Sequence, residues 1–296
     1  MKKMILVTGA HRSGTTWTGQ IIASAKNVWY IYEPFNVGIK HRNSPFEYWF
    51  ECLNNCSKSK ENIVKKYLKS FYSKFHIDII KRALKIRSLI DAKDFLKDIK
   101  KDTNRVLIKD PIAIMSSEWL YQQYNCNVVI TIRHPAAFIA SIKVKDWQFD
   151  FNNYLAQEEL ITTYLKDYKD VIKEYAETKQ DIIKQGILLW NTIYSTVQYY
   201  KEKYNDEWYF ITHEDLSIDP INEFEKIFKY LNLNLDENIK NLIIESTTSK
   251  ESSEHKRDSK NNIKTWKNRL SKDEIDYIKK ETEHVWTKFY SEDDWN

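Results

Sequence analysis

Met4-Ile5-Leu6-Val7-Thr8-Gly9-Ala10-His11-Arg12-Ser13-Gly14-Thr15-Thr16-Trp17-Thr18-Gly19-Gln20-Ile21-Ile22 is the stretch whose reading decides the fold. A short apolar run of β character enters a turn bounded by two glycines, and hydroxyl residues then open a helical segment. In such a turn the backbone N–H groups converge, and the helix N-terminus adds partial positive charge, so the concavity suits an oxyanion. A plain glycine turn between strand and helix is the alternative. It has no use for the donors of Arg12, Ser13, Thr15 and Thr16.

The two glycines have the spacing of the phosphate loop G-x-x-x-x-G-K-[ST], with Thr15 standing where that pattern wants lysine. The fixed cation of the loop is instead Arg12, three residues earlier. Kinase and GTPase chemistry needs the lysine on the β- and γ-phosphates and a metal ion to neutralise the transferring group. A cradle that moves the cation and doubles the hydroxyls suits a different phosphoester. The rival reading is a P-loop small-molecule kinase using ATP and Mg²⁺. Its support is the strand-like run Arg105-Val106-Leu107-Ile108-Lys109 before Asp110-Pro111, which would make Asp110 a metal ligand.

Arg12-Ser13-Gly14-Thr15-Thr16-Trp17 resembles the 5′-phosphosulfate loop of the sulfotransferases that use 3′-phosphoadenosine 5′-phosphosulfate (PAPS). Arg133-His134-Pro135-Ala136-Ala137-Phe138-Ile139-Ala140-Ser141 resembles that family's 3′-phosphate signature, Arg-x-Pro, five residues, Ser. Tyr32-Glu33-Pro34-Phe35, Lys109-Asp110-Pro111 and the stretch from His213 to Pro220 extend the likeness more weakly, toward carbohydrate and bacterial members. The resemblance implies a three-layer α/β fold of P-loop type, a central parallel sheet flanked by helices. It implies metal-free, in-line sulfuryl transfer from PAPS to a hydroxyl or amine of a carbohydrate or glycan precursor. Arg12, Ser13, Gly14, Thr15 and Thr16 would hold the 5′-phosphosulfate, with Arg12 also stabilising the transition state. Trp17 would stack on adenine, and Arg133 and Ser141 would take the 3′-phosphate. His213 stands where many members carry a tyrosine near the adenine. Arg257 is carried over to the 3′-phosphate from a late basic stretch, His255-Lys256-Arg257 with Lys260 and Lys264, that lacks the Arg-Lys-Gly pattern of cytosolic members.

Each of these residues also has a plain structural reading. Trp17 fits a core aromatic on the first helix, Arg133 a surface ion-pair partner, and Ser141 a filler two turns into its helix. The basic stretch is equally a solvated loop. Trp147, Phe149, Phe151 and Tyr154 are either core or a stacking surface for an acceptor ring.

An acceptor hydroxyl must lose its proton as it attacks sulfur, and the residues near the loop that can take it are Glu33, His41, Asp110 and His11. Glu33 is the expected general base, because it ends the apolar run Val28-Trp29-Tyr30-Ile31-Tyr32 at the edge where open α/β sheets place their ligands. The resembled families support the same choice. The alternative is that Glu33 only pairs with Arg12 to hold the loop.

With 296 residues and 42% hydrophobic content the chain can bury a large core, and strands alternating with helices predict a parallel sheet with right-handed crossovers. Strands are expected at 28–32, 105–109, 127–132 and 208–212, and helical spacing at 153–176, 183–204, 221–231, 236–246 and from Ser271. The expectation is one domain over 1–296, with a helical insertion at about 45–104 and a helical lid at about 145–180. The net charge of +4 suits an anionic ligand and does not argue for nucleic acid. Cys52, Cys56 and Cys126 read as reduced bystanders. The apolar start is too short for a signal peptide and no run reaches a membrane span, so a cytoplasmic protein is expected.

Overall fold

The computed structural model describes residues 4–39, 41–72, 105–248 and 263–296. Its strands are β1 (Ile5–Gly9), β2 (Val28–Tyr32), β3 (Arg105–Lys109), β4 (Asn127–Ile132) and β5 (Tyr209–Thr212). They form one parallel sheet in the order β2-β3-β1-β4-β5. β2, β3 and β4 coincide with the expected runs, β5 starts one residue later, and β1 runs two residues past its apolar run to Gly9; the central strands, covered on both faces, are the most buried.

Neighbouring residues of a strand feed opposite sides of the sheet. Ile5, Val7, Leu107 and Val129 pack with Ile21 and Ile22 of α1 (Thr15–Ala23) and with Phe224, Ile227 and Phe228 of the helix Pro220–Leu231. Leu6, Ile108, Val128 and Ile130 pack on the other side with Phe138 of the helix Pro135–Lys145 and Trp190 and Ile193 of the helix Ile182–Tyr204. The result is helix, sheet, helix. Strand order reverses at β1, which lies between β3 and β4, so the crevice for a ligand opens at the carboxyl end of β1.

Two glycines make the turn there possible. Gly9 has φ +146°, and a Cβ on it would lie 2.2 Å from the Thr131 carbonyl oxygen. Gly14 has φ +90°, with His213 Nδ1 2.6 Å from where a Cβ would be. Neither position admits a side chain without displacing its neighbour.

Two expectations about helices are revised. The periodic segment at 153–176 is not one helix but the short pieces Asn152–Leu155, Glu158–Thr163, Lys166–Tyr168 (3-10) and Lys169–Glu177. The reason is tertiary: Gln157 accepts from the Cys52 N–H at 2.8 Å and Asn153 from the Trp49 N–H at 3.0 Å. These bonds dock the turn-rich stretch before α2 (Lys58–Tyr72), so residues 45–57 are turns rather than helix. Residues 73–104 of the proposed insertion lie outside the described residues. All three cysteines are free thiols. No described helix is long and apolar enough to cross a membrane.

Candidate active site

A cavity of about 760 Å³ opens at the carboxyl edge of the sheet, lined by the β1–α1 loop, the end of β2, Arg133, Ser141, Trp147, His213 and the segment at Thr265 and Arg269. The loop is held from within. The Ser13 hydroxyl lies 2.5 Å from the Ala10 carbonyl oxygen and 2.7 Å from Thr131 Oγ1, and Ser13 is fully buried. Its side chain therefore shapes the loop and does not line the cavity. Thr15, Thr16 and Gly14 do line it, at the first turn of α1.

Arg12 adopts φ +67°, a left-handed conformation that costs a non-glycine residue energy and is kept where surrounding contacts enforce it. Two side-chain contacts enforce it here. Arg133 Nη1 donates to the Arg12 carbonyl at 2.7 Å, and Arg12 Nε donates to Ser141 Oγ at 3.1 Å. Arg133 is itself fixed through its backbone: its N–H donates to Tyr194 Oη at 2.9 Å, and its carbonyl accepts from Trp190 Nε1 at 2.9 Å. The two motifs thus meet in one hydrogen-bonded unit. Trp17 lines the cavity half-buried, donating from Nε1 to Ser246 Oγ at 2.9 Å and meeting Phe224 edge-on. His213 sits against Gly14. Arg257 lies outside the described residues, as do His255, Lys256 and Lys260.

Sequence reasoning missed Arg269 and Thr265, which line the cavity from the far end of the chain. They are carried there by Trp266, whose ring stacks on His134 at 5.2 Å, directly beside Arg133. A lone arginine past a basic loop carries no pattern that distinguishes it in sequence.

Glu33 closes β2 with φ +45° and lines the cavity although only 8% exposed. Its partner is Lys109 rather than Arg12: Lys109 Nζ donates to Glu33 Oε1, and Asn36 Nδ2 donates to Oε2 at 2.5 Å. Lys109 is fully buried, with Nζ 4.0 Å from the centroid of the Tyr32 ring. Burial pushes its pKa down, opposed by the charges of Glu33 and Asp110. In the sequence the lysine stands at the end of a strand and opens the Lys109-Asp110-Pro111 segment of the likeness, and neither says that it meets Glu33.

The remaining base candidates are occupied otherwise. Asp110 is fully buried and accepts from the Phe35 N–H at 2.6 Å and the Ile112 N–H at 2.9 Å, and burial raises its pKa to about 7. Fully enclosed and not among the described residues lining the cavity, it does not stand where the kinase reading needs a metal ligand. His41 Nε2 donates to the Glu33 carbonyl at 2.9 Å. His11 packs among Phe50, Phe138 and Trp147, where burial, then Arg12, lower its pKa to about 4. The aromatic group divides: Phe151 and Tyr154 are core, whereas Trp147 is 41% exposed and lines the cavity.

The fold and cavity are those of a P-loop-type α/β protein whose cavity is lined by Arg12, Arg133, Arg269 and the first turn of α1. The family profile described as "Sulfotransferase domain" matches residues 2–290, and the chain belongs to that family. It is therefore a sulfotransferase enzyme. Among solved structures it is similar to the sulfotransferase domain from the curacin biosynthetic pathway, at 12% identity over 96% of this chain and 98% of that one, TM-score 0.48. It is also similar to the sulfotransferase domain of the Synechococcus PCC 7002 olefin synthase, at 13% identity over 94% and 93%, TM-score 0.46. A mouse sulfotransferase complexed with PAP matches at 14% identity over 99% and 87%, TM-score 0.46. No individually curated protein matches the sequence.

Proposed function

We propose that this sulfotransferase moves a sulfuryl group from PAPS to an acceptor hydroxyl, with Glu33 as general base. The observation that carries the reading is that Glu33, anchored by Lys109, and the Arg12 loop line one cavity. In this reading Arg12, the amides of Gly14, Thr15 and Thr16, and the α1 dipole hold the sulfuryl and 5′-phosphate oxygens. Arg133, Ser141 and Arg269 take the 3′-phosphate, and Trp17 and His213 flank the adenine. Ser13 supports the loop from behind.

As the acceptor oxygen bonds to sulfur, the bond from sulfur to the phosphate oxygen breaks and Glu33 receives the hydroxyl proton. A carboxylate has lone pairs beyond those given to Lys109 and Asn36, so the pairing leaves room for that proton. The sulfuryl group carries less charge than a γ-phosphoryl group, and the arginines and amides suffice to stabilise it without a metal. The likeness to carbohydrate members makes a sugar-type or related alcohol the acceptor. The three free thiols support a cytoplasmic setting.

The test is a thermal-shift comparison of 3′,5′-adenosine bisphosphate with ATP plus Mg²⁺. At about 100 times its dissociation constant a ligand stabilises by roughly 2.7 kcal/mol. Stabilisation by the bisphosphate and little by ATP supports the reading, and the reverse order overturns it.

A further inference from the structure

The two oxygens of Glu33 have anchors of different kinds. Oε1 accepts from the ammonium of Lys109, which has no exposed surface, and Oε2 accepts from Asn36 Nδ2 at 2.5 Å. Asn36 is among the residues lining the cavity, as is Glu33 itself. Oε2 is therefore the oxygen held on the cavity side.

Asn36 is built to make that bond in one orientation. Its Oδ1 accepts from the Gly38 N–H at 2.9 Å, and a backbone N–H can only donate, so Nδ2 is the end that faces Glu33. A Cβ on Gly38 would crowd Oδ1 at 3.1 Å. The Asn36 backbone binds the same residue: its N–H donates to the Glu33 carbonyl at 3.2 Å, and that carbonyl also accepts from His41 Nε2 at 2.9 Å. Asn36 thus holds Glu33 by both its carbonyl and its carboxylate, in a turn that keeps Glu33 at φ +45°. The last torsion of a glutamate is broad, so one donor on Oε1 leaves the carboxylate plane free to swing. A second donor on Oε2 fixes it.

We propose that Asn36 is a positioning residue for the general base, holding the Glu33 carboxylate so that the remaining lone pair of Oε2 meets the acceptor hydroxyl. The proposal rests on the sulfuryl-transfer reading with Glu33 as base and adds a residue to it. As a lone pair of the acceptor oxygen bonds to sulfur, the hydroxyl proton passes to Oε2, and the bond from sulfur to the phosphate oxygen breaks with its electrons on the nucleotide. Misplacing a reacting group by about 1 Å can cost about 100-fold in rate.

Two substitutions separate this role from support of the turn. Asn36→Asp keeps an oxygen for the Gly38 N–H and puts a like charge where Oε2 had a donor, whereas Asn36→Ala removes both bonds. Each is made alone and together with Glu33→Gln. Single-turnover transfer from labelled PAPS is measured with methyl β-glucoside and with water as the acceptor, and bisphosphate affinity by calorimetry, at a temperature where every variant is folded. Both Asn36 variants should lower turnover by about tenfold to 100-fold with bisphosphate affinity unchanged. In the Glu33→Gln background the same substitutions should change turnover by less than about twofold, because they act through Glu33. Turnover within a few-fold of wild type in Asn36→Asp, an equal loss in the Glu33→Gln background, or bisphosphate affinity falling in parallel overturns the proposal and leaves Glu33 as base. Unchanged turnover in Glu33→Gln alone, or no enzymatic transfer to either acceptor by the wild type, overturns the parent reading and this one with it.

Discussion

Lys109 at the end of β3 and Glu33 at the end of β2, 76 positions apart in sequence, form an ion pair whose lysine is wholly buried. Parallel pairing sets them side by side: Tyr32 is in register with Lys109, and the Glu33 N–H donates to the Lys109 carbonyl at 2.8 Å. The pair does two things at once. It satisfies a buried ammonium, and it fixes a carboxylate at the rim of the cavity where the Arg12 loop ends.

Removing one member of a buried pair leaves the other without compensation. Lys109→Met should therefore destabilise the fold by about 3 kcal/mol. Adding Glu33→Gln should restore a large part of that loss, since a neutral amide is cheaper to leave unpaired. Urea unfolding of the two single variants and the double variant gives the coupling directly. Additive losses would show that the pair contributes little to stability.

Arg133→Ala and Arg269→Ala should each weaken 3′,5′-adenosine bisphosphate by roughly tenfold to 100-fold, the scale of a charge-assisted hydrogen bond. Adenosine 5′-phosphate, which lacks the 3′ group, should lose far less. Calorimetric titration of both nucleotides separates a 3′-phosphate role from general loss of the site. Equal losses for both would remove these arginines from that role.

His134 should make the fold acid-labile. It is buried, neither ring nitrogen has a hydrogen-bond partner among the described residues, and burial, then Arg133, Lys264 and Lys267, lower its pKa from 6.5 to about 3. Glu214 accepts its backbone N–H, and Tyr290 meets its ring edge-on. Because the folded pKa is depressed, the unfolded chain binds more protons between these values. The stability contribution is complete above pH 6.5 and is lost as pH falls toward 3. His134→Phe keeps the stack on Trp266 and removes both unpartnered nitrogens. It should gain about 1 kcal/mol at neutral pH and flatten the acid limb of a melting profile. An unchanged acid limb would assign that lability to other groups.

The central strands were legible because they are buried on both faces and mostly apolar, and the half-buried edge strands β2 and β5 because they are built of β-branched and aromatic residues. The loop was legible because phosphate cradles need glycines and hydroxyls at fixed spacing. What could not be read was tertiary. Nothing local announces that Lys109 turns into the sheet edge to meet Glu33, or that Trp266 docks on His134 and brings Arg269 to the cavity. The apolar period at 153–176 was real, but Asn153 and Gln157 give side-chain bonds to a distant turn and the helix breaks around them. Arg12 was expected as the alternative partner of Glu33 from proximity in the pattern. Arg133 and Ser141 hold it instead.

Glu33→Gln tests the central claim most directly, with single-turnover transfer from labelled PAPS and bisphosphate affinity measured on the same preparation. The substitution keeps the shape and an oxygen for Lys109 but removes its counter-charge, so part of the pair's stability is lost and turnover is compared at a temperature where both proteins are folded. The account predicts turnover lower by about 100-fold or more, the scale of general-base catalysis, with bisphosphate affinity of the folded protein nearly unchanged. Turnover within a few-fold of wild type, or affinity collapsing in parallel with turnover, would contradict it and leave Glu33 a structural residue.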